Sequence, residues 1–162
     1  MSRNVALIVA AGRGHRVGGP LPKQYRMLSG GAILAHSVAA FARLASISAV
    51  RVVIHPDDET LYRDALSGLD ADMQAKLLKP VAGGASRQES VRLGLESLTE
   101  DAPDAVLIHD GARPLVSEAV IERSLAALAQ DIGAIAALPL SDSLKRATPD
   151  GRSIEQNVAR EG

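Results

Sequence analysis

Val5-Ala-Leu-Ile-Val-Ala10 is an unbroken apolar run, and Ala11-Gly12-Arg13-Gly14-His15-Arg16 stops it. A run this short, rich in β-branched residues and closed by glycines, reads as a strand buried on both faces. Working outward, Val50-Arg-Val-Val-Ile54, Asp104-Ala-Val-Leu-Ile-His109 and Gly133 to Leu140 repeat the pattern, and Lys76 to Val81 makes a shorter version of it. Between these runs the apolar spacing changes to that of helices. Ala32 to Leu44 carries Ile33, Leu34, Val38, Phe41 and Leu44; Pro56-Asp57-Asp58 opens a second helix; Ser86 opens a third that reaches about Leu98; Ser117 precedes a fourth through Ile121, Leu125 and Leu128. Ser86 and Glu89 have the spacing of a capping box.

Strands alternating with helices predict a mostly parallel sheet covered on both faces, and right-handed crossovers make it a Rossmann-like three-layer α/β/α sandwich. From Ser141 the pattern changes. Asp142 to Ala147 and Ser153 to Val158 flank Pro149-Asp150-Gly151, a turn sequence, and predict a protruding β-hairpin arm. The expected organisation is an α/β core over residues 1–140 and an arm over 141–162.

Composition narrows the function classes. Of the 162 residues, 46% are hydrophobic and 23% charged, enough to build a core. With 18 basic and 19 acidic residues the net charge is −1, which argues against a broad basic field for nucleic acid. Tyr25, Phe41 and Tyr62 are the three aromatics, too few for a base-stacking platform. The absence of cysteine excludes disulfides and thiolate chemistry. No apolar run approaches the length of a membrane span, and the run after Asn4 is too short for a secretory signal. A cytoplasmic protein with no membrane partner is expected.

In open parallel sheets, ligands bind at the carboxyl ends of the strands. Four segments rich in polar and glycine residues follow apolar runs: Ala10 to Lys23, Gly83 to Ser90, His109 to Arg113 and Ser141 to Arg146. In the first, Gly12 and Gly14 let the backbone approach an anion, and Arg16 and Lys23 add positive charge suited to a polyphosphate. The spacing is neither that of a Walker loop nor Gly-x-Gly-x-x-Gly. The plainer alternative is a solvated glycine-rich loop. In the second, Gly84 and Ser90 can contact a base or ribose, or simply belong to a capped helix. In the third, Asp110 can reach a Mg²⁺ held between phosphates, and Arg113 can pair with a second anion; the alternative is a capping Asp with a structural Arg. His109 has no partner at metal-ligand spacing and is read as a packed strand-end histidine.

Taken in order, Ala-Ala-Gly-x-Gly-x-Arg, Pro22-Lys23-Gln24-Tyr25, Gly-Gly-x-x-Arg-x-x-Ser-Val and His-Asp-x-Ala-Arg-Pro resemble the 2-C-methyl-D-erythritol 4-phosphate cytidylyltransferases of non-mevalonate isoprenoid synthesis. Asp142-Ser143-x-Lys145-Arg146 and Asn157-Val-Ala-Arg160-Glu-Gly162 fit the next motifs of that family. The resemblance implies transfer of CMP from CTP to a small phosphorylated polyol, with release of pyrophosphate and a need for Mg²⁺ or another divalent cation. It implies that Arg16 and Lys23 hold the triphosphate and act catalytically, and that Ala10, Ala11, Gly12, Gly14, Gly84 and Ser90 surround the nucleotide. Asp110 would be the metal-side carboxylate. Arg113, Ser143 and Arg160 would contact the acceptor, the last two from an arm that crosses to a second subunit of a homodimer. Ser143 stands where the family often has Thr, which keeps the hydroxyl. The family pattern continues beyond Gly162, so this chain is expected to be the N-terminal part of a longer or bifunctional enzyme. Two other readings are a related nucleotidyltransferase with a pentitol or sugar phosphate acceptor, and a non-catalytic nucleotide-binding module.

Overall fold

The computed structural model describes residues 2–13 and 21–159. In chain order, strand β1 (Asn4–Ala10) is followed by a short antiparallel pair, β2 (Met27–Leu28) and β3 (Gly31–Ala32), and helix α1 (Ile33–Ala42). Strand β4 (Ala49–Ile54) leads through a 3-10 turn (Pro56–Asp58) into α2 (Glu59–Leu66) and the short α3 (Ala71–Ala75). Then come β5 (Val81–Ala82), α4 (Arg87–Glu96), β6 (Ala105–Asp110), α5 (Glu118–Leu128), and last β7 (Leu144–Ala147) with β8 (Ile154–Val158).

The main sheet has four strands in the order β5-β4-β1-β6. All its pairs are parallel, with Val5 beside both Ala49 and Val106. The two-residue side-chain period explains the three layers. Ala6, Ile8, Ala10, Val50, Val52 and Ile54 face α1, α2 and α5, which contribute Leu34, Val38, Phe41, Tyr62, Leu66 and Ile121 to one core. Val5, Leu7, Ala49 and Val53 face the other way, toward α4 and Leu98. Leu7 and Ile8 point to opposite faces and both are fully buried, each worth about 1.5–3 kcal/mol of apolar transfer. Gly94 sets how close α4 lies, because a Cβ there would stand 2.7 Å from Leu7 Cδ1. No helix among the described residues is long and apolar enough to cross a membrane.

The α/β/α architecture follows the expectation, with two differences. Gly133 to Leu140 forms no strand: Ile135 and Leu138 are more than 90% exposed, beside an open apolar groove along α5. An apolar run becomes a strand only where a neighbour accepts its backbone hydrogen bonds, and β6 has a described partner on its β1 side alone. The Lys76 to Val81 run supplies one bridge, Val50 with Leu77, before the two-residue β5. Ser117 makes no side-chain cap, whereas Ser86 Oγ accepts from Glu89 N at 3.1 Å. Glu89 completes the reciprocal bond on Ala85 N, at 2.8 Å, one residue before the cap.

The hairpin forms as expected. β7 and β8 pair antiparallel around a turn in which Gly151 adopts φ +68°. Nearly every residue in both strands is exposed, including Leu144 and Ile154, so the hairpin carries no core of its own.

Candidate active site

Parallel strands place their carboxyl ends on one rim, and there β1, β5 and β6 deliver their following loops to a single cavity of about 480 Å³. Ala10, Ala11, Gly12 and Arg13 come from the end of β1; Gly84, Arg87 and Ser90 from the turn into α4; Asp110 and Ala112 from the end of β6. Lys23 and Gln24 enter from the 3-10 turn Lys23–Tyr25, and His55 from the end of β4. A volume of this size suits a small-molecule ligand.

The wall is built by close backbone approach. A Cβ on Gly83 would lie 2.4 Å from the Ala11 methyl, and one on Gly84 would lie 2.3 Å from Glu89. Ser90 is buried, and its hydroxyl accepts from Gly84 N at 3.1 Å while donating to Ser86 O at 2.9 Å. Its hydroxyl therefore fixes the glycine turn. Behind the β1 loop, the buried Gln24 amide donates to Ala10 O at 2.7 Å and to Gly12 O at 3.0 Å. These bonds tie the β1 loop to the 3-10 turn and occupy two of its carbonyl oxygens.

Asp110 sits between two arginines. Its Oδ1 accepts from Arg87 at 3.0 Å and its Oδ2 from Arg113 at 2.9 Å. Partial burial pushes the Asp110 carboxyl up, but the hydrogen bonds and charges of Arg113 and Arg87 prevail and hold it below the usual carboxylate range. It is thus ionised at neutral pH and flanked by cations that can follow an anionic ligand. His109 packs its ring on Phe41, centroids 5.0 Å apart, and its Nε2 donates to Arg113 O at 2.9 Å. It is a structural histidine, as expected, and it also steadies the Asp110–Arg113 turn.

A family model described as IspD: 2-C-methyl-D-erythritol 4-phosphate cytidylyltransferase matches residues 4–162. The chain belongs to the 2-C-methyl-D-erythritol 4-phosphate cytidylyltransferase family. The bifunctional enzyme IspD/IspF of Rhodospirillum rubrum is 57% identical over 162 residues, all of this chain and 40% of that protein. The 2-C-methyl-D-erythritol 4-phosphate cytidylyltransferase of Cereibacter sphaeroides is 52% identical over 87% of this chain and 60% of its own length. Among solved structures, the 4-diphosphocytidyl-2C-methyl-D-erythritol synthase of Anaerococcus prevotii superposes with a TM-score of 0.77 at 27% identity, covering 98% of this chain and 65% of that one. This chain therefore spans about two fifths of the bifunctional cytidylyltransferase relatives and about two thirds of that solved structure.

The structure brings together the expected cytidylyltransferase residues Ala10, Ala11, Gly12, Lys23, Gly84, Ser90 and Asp110, with Arg113 bonded to the last of them. Ser143 is exposed, precedes β7 and does not line the cavity. The reading of Ser141 to Arg146 as a fourth strand-end segment fails with the strand at 133–140 that would have carried it. Gly14, Arg16 and Arg160 lie outside the described residues. The sequence reading gave no role to Gln24, His55 or Arg87. Arg87 is the arginine of the Gly-Gly-x-x-Arg pattern, and its position just inside the cap of α4 was the available signal.

Proposed function

We propose that the full-length protein transfers CMP from CTP to 2-C-methyl-D-erythritol 4-phosphate. A phosphate oxygen of the acceptor attacks the α-phosphorus of CTP, the bond from that phosphorus to the bridging oxygen breaks, and pyrophosphate leaves. The observation that carries this reading is the convergence of the β1, β5 and β6 loops, with Lys23, on one cavity in a chain of this family. Such a transfer needs in-line positioning and charge neutralisation more than a strong base. The Lys23 ammonium and the Arg16 guanidinium neutralise the triphosphate and the charge that develops at the α-phosphorus. The backbone of Ala10, Ala11 and Gly84, held by Gln24 and Ser90, surrounds the cytosine and ribose. Arg113 receives the acceptor.

Among the described residues no group of three acidic or histidine side chains can cage a metal. One carboxylate with an accessible rim still suits Mg²⁺, which usually takes its other oxygens from substrate phosphates and water. Asp110 would hold it, since each carboxylate oxygen keeps a second lone pair beside its arginine. The ion would supply charge neutralisation across the triphosphate. A cytoplasmic location is part of the same reading.

The test is pyrophosphate release by the full-length protein with each nucleotide and a panel of acceptors. The close approach of Gly83 and Gly84 to Ala11 and Glu89 leaves a narrow wall for a purine. CTP should exceed ATP and GTP by at least roughly tenfold in kcat/KM, with 2-C-methyl-D-erythritol 4-phosphate as the preferred acceptor. Equal turnover with ATP overturns the cytidylyl assignment. A preference for a pentitol or sugar phosphate overturns the acceptor, and no turnover leaves a binding module.

The same proposal makes the protein a homodimer in which the β7–β8 hairpin of one subunit reaches the other's site. The exposure of nearly all of it and its two exposed apolar residues, Leu144 and Ile154, support that role, as a lone hairpin is marginal in water. Ser143 and Arg160 would then meet the acceptor held by the other chain's Asp110 and Arg113. Mixed dimers of Arg160→Ala and Asp110→Asn chains decide the point. A crossing arm leaves one site with both defects and one with none, so about half of wild-type activity per heterodimer returns. No recovery in demonstrably mixed dimers assigns the arm to its own subunit.

A further inference from the structure

Asp58 lies in the turn after β4, and its side chain is only 2% exposed. Its Oδ1 accepts from Arg13 Nη1 at 2.8 Å, across 45 residues of sequence. The same guanidinium donates through Nη2 to His55 Nδ1 at 2.6 Å and to Asp57 Oδ2 at 3.2 Å. His55 Nδ1 also accepts from Asp57 N at 3.2 Å, so the imidazole proton belongs on Nε2. The buried Tyr25 hydroxyl lies against the Asp58 carboxylate. Its pKa is pushed up, first by burial and then by the Asp58 charge, with Arg13 opposing.

A buried carboxylate depends on its counter-charge. Arg13 therefore cannot leave Asp58 cheaply to follow a phosphate. A planar guanidinium satisfied on two edges by a rigid turn is suited to holding the chain that carries it. That chain is the β1 loop, whose carbonyls Gln24 fixes only as far as Gly12.

We propose that Arg13 is a positioning residue: through Asp58 and His55 it latches the β1 loop onto the β4 turn, so that the nucleotide wall is set before ligand arrives. The inference rests on the reading of this cavity as a CTP site. Its chemical content is preorganisation, in which a loop ordered beforehand loses less entropy on binding.

Arg13→Ala, Asp58→Asn and the double variant of the full-length protein separate a latch from a direct ligand. The readouts are CTP affinity by calorimetry and amide hydrogen exchange over 10–13 without nucleotide. A latch predicts that Asp58→Asn weakens CTP about tenfold, as much as Arg13→Ala does, although Asp58 is buried behind the loop. It predicts no further loss in the double variant, and faster loop exchange in all three. Asp58→Asn with wild-type CTP affinity and wild-type loop exchange overturns the proposal. If Asp58→Asn does not fold, Arg13→Lys decides. It keeps the charge and loses the fork, so a latch predicts faster exchange and weaker CTP binding, and a charge contact predicts neither. Failure of the wild-type protein to bind CTP overturns the nucleotide reading alone, and the loop exchange still decides the latch.

Discussion

Lys23→Ala in the full-length protein is expected to lower kcat by about 10²-fold or more, the usual loss when one preorganised donor is removed from a developing charge. The 3-10 turn Lys23–Tyr25 presents this ammonium to the cavity, and the neighbouring Gln24 and Tyr25 are buried, so the turn that carries it is fixed. No carboxylate among the described residues pairs with Lys23, so its charge is available to a triphosphate. Arg16→Ala should act in the same direction on the same reading of the glycine-rich segment. The measurement is steady-state kinetics with CTP and acceptor both saturating, so that a change in kcat is not confused with weaker binding. Near-wild-type kcat in both variants would return the segment to an ordinary solvated loop.

Asp110→Asn keeps the shape and removes the charge. Activity should fall by about 10²-fold or more while the thermal midpoint stays close to wild type. The stability half of this expectation comes from exposure. Arg87 and Arg113, the two partners of Asp110, are 62% and 75% exposed, and ion pairs in such surroundings contribute little to folding. The activity half comes from the loss of the carboxylate on which a triphosphate-bound Mg²⁺ would rest. Manganese binding in the presence of CTP, followed by electron paramagnetic resonance, gives a readout apart from turnover and should weaken in the variant. Unfolding of Asp110→Asn would make the residue a structural cap.

The sequence made β1, β4 and β6 legible because each is an apolar run bounded by breakers, a local property. The same property misleads at 133–140, where apolarity is present and a backbone partner is not. The β2–β3 pair and α3 are two to five residues long, too short for any periodicity to register. In the site, Lys23, Gly84 and Asp110 were readable from their places after strands, since a parallel sheet sends all such places to one rim. Gln24, Arg87 and Arg13 were not, because each acts through a partner 12 to 45 residues away. A polar residue gives no local sign of which distant oxygen it will meet. Ser90 was readable as a site residue, but its hydroxyl turned out to be committed to Gly84 and Ser86.

The central place of β1 in the sheet also sets a timetable for synthesis. Val5 leaves the ribosome well before its two neighbours in the sheet, Ala49 and Val106. At about 5–20 residues per second, the second neighbour emerges of the order of 5–20 s after the first strand. For that interval the most apolar segment of the chain has one edge to pair and one left open. The β1–α1–β4 unit can close on itself early, with Ile8, Val38 and Val52 already sharing a core. Docking of β6 must wait, and with it the placement of Asp110 opposite the β1 loop. The β1 side of the cavity is therefore assembled before the carboxylate that faces it, and folding in the cell is most exposed to mispairing between those two events.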